Sequence, residues 1–175
     1  MIRFLSEEAI NLHKEYMKDE LLRFSVYEIC YPEIKNKSLR EIYKMRLREK
    51  REEIIKIKSN LLLHNVYFSS FKNRYEASRI VRNEYGSEAS FLYEVYKIAN
   101  VGESCLIIYT DGKGIKISKD REAYDALKYY EPILCLDLCE HAYFPDYGFN
   151  KQMYIENSIS YLNLNKIDEK MSVNH

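Results

Sequence analysis

The hydrophobic period of this chain changes near residue 72, and that change sets the fold class. Before it, apolar residues recur at three-and-four spacing along two long stretches, the signature of helices with one buried face. After it come shorter helical segments and then Cys105-Leu106-Ile107-Ile108-Tyr109, which reads as a buried strand. Asp111-Gly112 is a strong hairpin turn, and Ile115 and Ile117 alternate on the returning strand. Residues 131–137 supply a third strand that delivers Asp137 at its C-terminal end. The expected class is α+β: an N-terminal antiparallel helical hairpin, then a three-stranded antiparallel sheet with flanking helices. Residues 1–72 are assigned to the hairpin domain and 73–175 to an α/β domain built on the sheet.

Within the first half, Ser6 followed by Glu7 and Glu8 is a good helix start, a capping hydroxyl and then acids favoured by the helix dipole. Ala9, Leu12, His13, Tyr16, Met17, Leu21 and Phe24 form the apolar stripe, so His13 is expected to point inward; the helix should stop before Pro32. Ser38-x-x-Glu41 is a capping box. It predicts a second long helix, solvated where the charges alternate over 46–53 and apolar over 54–71. Ile54, Ile57, Leu61, His64 and Phe68 share its buried stripe, which turns His64 inward as well. Further helices are expected over 75–83 and 87–99, separated by Gly86, with a final helix over 150–163.

Charge argues against several partner classes. Lys+Arg and Asp+Glu both number 27, so no global field invites nucleic acid or an anionic membrane. No apolar run approaches the ~20 residues of a membrane span. The chain enters a helix almost at once, leaving no room for a leader peptide. Four cysteines without CxxC spacing suit free thiols in a reducing compartment, and the expected location is the cytoplasm.

Chemistry concentrates in four side chains. Only four histidines occur, and two of them lie on buried helical stripes. A third, His141, follows Asp137 by four residues in Asp137-Leu138-Cys139-Glu140-His141-Ala142-Tyr143-Phe144.

That last run resembles the D-x-W-E-H-A-Y-Y signature of the iron/manganese superoxide dismutases. Residues 5–13 resemble the family's I-S-x-E-T-x-x-x-H, and residues 64–68 its H-x-x-Y-W. Asp146-Tyr147 with Lys151 and Tyr154 is similar to D-Y-x-x-x-R-x-x-Y, with Lys in place of Arg. The resemblance implies a metal-dependent dismutase of superoxide. One Mn or Fe ion per subunit would be held by His13, His64, Asp137 and His141. Three imidazoles and one carboxylate sharing one ion are a donor set that suits a transition metal of intermediate hardness rather than a thiolate-rich structural zinc site. The resemblance further implies that Asn60 orients the solvent ligand, that Tyr67 and Tyr143 line the pocket and that Lys151 steers the anion. Glu140 would bridge to the ligand histidine of the other subunit in a homodimer.

Departures from the family pattern surround this set. Cys139 replaces the Trp before Glu-His, two further Trp positions fall near Glu103 and Cys105, and Phe68 replaces a fourth. The gateway His and Tyr become Met17 and Leu21, and the second Tyr of H-A-Y-Y becomes Phe144. Iron-type members carry Gln where Asn60 stands; manganese-type members supply the outer amide from a hairpin near Glu122. These changes imply slower proton delivery than in ordinary members. They also keep open a catalytically impaired protein of the same fold serving as a structural or interaction scaffold.

Overall fold

The computed structural model describes residues 2–47, 49–72 and 77–172. Helix α1 (Glu7–Cys30) starts where the capping logic places it: the Ser6 side chain accepts from Ala9 N, and the chain turns at Pro32 into one 3-10 turn, Pro32–Ile34. His13 is fully buried. The stripe is narrower than expected, because Leu12, Tyr16 and Leu21 lie about half exposed while Glu20 faces inward with Ala9, His13 and Phe24.

The expected second long helix is in fact two. The Ser38–Glu41 capping box forms, but it opens only α2 (Leu39–Lys44); α3 (Arg51–Ser69) carries the apolar stripe. Lys50 adopts a left-handed conformation (φ 56°) at the break. The Arg51 guanidinium donates to the carbonyls of Tyr43 (2.7 Å) and Met45 (3.4 Å), satisfying acceptors that the broken helix leaves open. Leu47 is buried inside the connection. α3 then packs antiparallel on α1 and places His64, 5% exposed, opposite His13.

Beyond the hairpin, α4 (Arg79–Tyr85) and α5 (Glu88–Asn100) flank Gly86, whose φ of 77° only glycine adopts easily. The expected start of the first of these at Tyr75 lies outside the described residues. Strands β1 (Cys105–Thr110), β2 (Ile115–Lys119) and β3 (Leu134–Asp137) form an antiparallel sheet in the order β2-β1-β3. Asp111 Oδ1 caps the hairpin by accepting from Lys113 N and Gly114 N. The third strand is shorter than expected and begins only at Leu134.

Helix α6 (Asp120–Ala126), which the sequence reading missed, occupies the region around Glu122. Cys105 pairs with Asp137, so β1 fixes the height at which β3 ends. Helix α7 (Glu140–Tyr147) follows immediately and carries His141. The expected final helix is α8 (Lys151–Ser160), capped by Asn150; it is not the last, since α9 (Asn165–Ser172) follows. Leu106, Ile108, Leu134 and Leu136 share one face of the sheet and Ile107 and Cys135 the other; all are buried, and α3 packs against β3. Among the described residues no helix is long and apolar enough to cross a membrane.

Candidate metal centre

Four elements each bring one group to a common point. His13 comes from α1, His64 from α3, Asp137 from the end of β3 and His141 from the first turn of α7. One nitrogen or oxygen from each lies within 4.8 Å of all the others. The convergence is tighter still on one atom, Asp137 Oδ2. It lies 3.1 Å from His13 Nε2, 3.5 Å from His64 Nε2 and 3.0 Å from His141 Nε2.

Asp137 is aimed by its own neighbourhood. Its Oδ1 accepts from Cys139 N at 2.9 Å, which leaves Oδ2 facing the imidazoles. Its backbone carbonyl accepts from the buried Tyr154 hydroxyl at 2.7 Å. Burial works against the charged carboxylate, yet the three surrounding imidazoles hold it well below the ordinary range.

The histidines are fixed from behind. His64 Nδ1 donates to Asn60 O at 2.8 Å, so its Nε2 faces the centre. The His13 ring is wedged between Tyr67 and Phe68, with centroids 4.9 and 5.0 Å away. Tyr16 stacks on His141 at 4.3 Å and 18°.

Hydrogen bonding alone does not satisfy this cluster. One carboxylate oxygen cannot serve three imidazoles, and neither nitrogen of the fully buried His13 has an aligned partner. His64 Nε2, which bears an inward lone pair when the ring is neutral, sits 3.4 Å from His141 Nε2. A cation placed among these four atoms would take the inward lone pairs of the rings and balance the carboxylate, leaving His13 Nδ1 still without an aligned partner, so the donor set fits a divalent or trivalent transition ion. Without one, burial works to lower the His64 pKa, but hydrogen bonds and charge from Asp137 and Glu20 outweigh it and push it up to about 9. Burial holds the His13 pKa below its usual value.

A cleft of about 50 Å³ opens beside the cluster, lined by Tyr16, Asn60, His64, Tyr124, Asp137 and His141 together with Cys105, Cys135 and Cys139. At ~10–15 Å³ per water it holds a few waters or a diatomic anion. Its thiols are not nucleophiles: desolvation pushes Cys105 and Cys139 up to about 12. Cys139, in the position of the missing Trp, points its sulfur at the Ser104 carbonyl, 3.4 Å away.

The remaining expected residues are placed as follows. Both ends of the Asn60 amide are occupied, Nδ2 donating to Glu20 Oε1 (2.6 Å) and Oδ1 accepting from Tyr124 OH (2.8 Å). Tyr67 is fully buried behind His13, and its hydroxyl lies 3.2 Å from that of Tyr154. Tyr143 packs on Tyr154 at 5.5 Å and is not among the side chains lining the cleft. Lys151 donates to Gly102 O at 2.9 Å and passes over the Tyr143 ring. Glu140 is exposed, in a shallow groove with Leu12, Tyr16 and Phe144. Glu122 is exposed on α6 and faces no part of the cluster; Tyr124 from the same helix enters instead. Leu21, the gateway position, points outward, and Glu20 beside it points in. Sequence reasoning missed Glu20, Tyr16 as a ring stacked on a histidine, and Tyr124.

The family model described as "Iron/manganese superoxide dismutases, C-terminal domain" matches residues 72–170, more than half of the chain. No curated protein gives a match.

Proposed function

The chain belongs to the iron/manganese superoxide dismutase family, and we propose that it is a working member, disproportionating superoxide to dioxygen and hydrogen peroxide. The observation that carries this reading is the convergence of three imidazole nitrogens on one oxygen of a buried carboxylate. His13, His64, Asp137 and His141 are the groups that would hold one Mn or Fe ion per subunit. When bound, that ion supplies one-electron chemistry, cycling between two oxidation states as two superoxide ions and two protons are consumed.

The chain's own residues supply the rest. The small cleft admits a diatomic anion and excludes larger reductants and oxidants. Lys151 adds positive charge near the entrance, its field reaching Cys139. Tyr124 donates its hydroxyl hydrogen bond to Asn60 Oδ1 and so presents an acceptor oxygen to the cleft; Asn60 acts on solvent at the ion through that hydroxyl. Tyr67 and Phe68 brace His13, while Tyr143 and Tyr154 brace the strand end beneath Asp137.

A homodimer is part of the same reading. Among the described residues no hydrogen bond reaches His141 Nδ1, and His141 is partly exposed beside Glu140, Leu12 and Phe144. A partner's Glu140 would supply the carboxylate that orients a metal-bound histidine. A cytoplasmic setting suits the four free thiols.

Metal analysis of the purified protein, combined with a superoxide-consumption assay, tests the proposal. Expected are one Mn or Fe per chain and turnover, both abolished in Asp137→Ala. Metal without turnover favours the scaffold alternative, and a metal-free, inert protein sinks the reading.

A further inference from the structure

The cluster extends one carboxylate further than its four converging groups. Glu20 sits two helical turns beyond His13 on α1, is 4% exposed and reaches between Asn60 and His64. Its Oε1 accepts from Asn60 Nδ2 at 2.6 Å, and its Oε2 lies 3.4 Å from His64 Nδ1 without an aligned hydrogen bond. Among the described residues its one ion-pair contact is that histidine; no Lys or Arg joins it. Burying a carboxylate is unfavourable unless positive charge compensates. Asp19 and Leu21, on either side, both face solvent. The inward acid is therefore a feature of position 20 rather than of a generally acidic stretch.

We propose that Glu20 is a positioning residue that tunes the charge state of the ion held by His13, His64, Asp137 and His141. The proposal rests on the metal-binding reading above. The Nδ1 hydrogen goes to Asn60 O, so the carboxylate 3.4 Å away acts on the ring through its field, which makes Nε2 a stronger donor. Its negative charge, in a medium of low dielectric, also favours the more highly charged form of an ion in front of the ring. Both effects lower the reduction potential of the site. The same side chain holds the Asn60 amide with its oxygen turned to Tyr124, so one residue links donor strength to the hydrogen bonding of the cleft. None of this follows from the gateway residues of the family pattern, whose positions are Met17 and Leu21.

The test compares the wild type with Glu20→Gln and Glu20→Asp. All are loaded with the same metal and assayed for metal content, then titrated with redox mediators to find the midpoint potential. Gln keeps shape and an acceptor for Asn60 but removes the charge, so the potential of Glu20→Gln shifts upward. Glu20→Asp restores the charge and moves the value back toward the wild type. Glu20→Ser gives a second neutral variant should the Gln protein not fold, with the same upward shift expected. A loaded neutral variant with the wild-type potential, or an Asp variant displaced as far as the neutral one, overturns the proposal and leaves metal binding standing. A wild-type protein that takes up no metal overturns both.

Discussion

Asp137 divides its acceptors: Oδ1 is tied to its own turn by Cys139 N, and Oδ2 is left to three imidazoles. In the metal-free protein a proton on His64 partly balances that oxygen. Its pKa near 9, raised above the ordinary 6.5, contributes stability that is full below pH 6.5 and is lost as pH rises toward 9. Thermal melts of the apoprotein should therefore show Tm falling between pH 6.5 and 9, with no such fall in His64→Gln. Metal has to displace the same proton, so apparent affinity should rise about tenfold per pH unit up to about pH 9, as read by competition with a chelator. At this scale the four converging residues were legible, because two lie on apolar stripes and two in a distinctive motif. Glu20, Tyr16 and Tyr124 were not. An acid between Asp19 and Leu21 reads as solvated surface, and only the rotation of α1 against α3 shows which way it points.

Elements are positioned here by side chains that grip backbone. Asp120 Oδ1 accepts from Glu103 N, Ser104 N and the Ser104 hydroxyl, pinning the loop that leads into β1 and thereby the strand that sets Asp137. Partial burial works to raise its pKa, but those donors outweigh it and bring it down to about 2. The stability it contributes is present above its ordinary value of 3.8 and is lost as pH falls toward 2. Asp120→Ala should cost about 2 kcal/mol in denaturant unfolding near neutral pH and much less at pH 2. The break between α2 and α3 was not legible, since residues 45–50 contain neither Pro nor Gly. It depends on a guanidinium reaching back to Tyr43 and Met45, a contact that periodicity does not encode. The sheet was legible because alternation and the Asp111-Gly112 turn are local signals, whereas α6 is too short to show a period.

For the whole molecule, the α+β arrangement could be read from the change in hydrophobic period, while the surface through which copies would meet could not. Spacing assigns Leu12 and Tyr16 to the core, yet they lie exposed with Phe144 around His141. If the proposed homodimer forms through this face, Phe144→Asp should shift it toward monomer in sedimentation, weakening association about a hundredfold without changing the metal content the wild type shows. The cleft beside the four converging groups also limits how an ion can enter. A hydrated ion with six waters needs roughly 60–90 Å³ at the ~10–15 Å³ that each water requires, against about 50 Å³ available. Entry by that door demands stripping or breathing, so the folded apoprotein should charge sluggishly and speed up steeply on warming. Nascent chains, in which α1 and α3 have not yet closed over β3, would offer the ion an unobstructed berth.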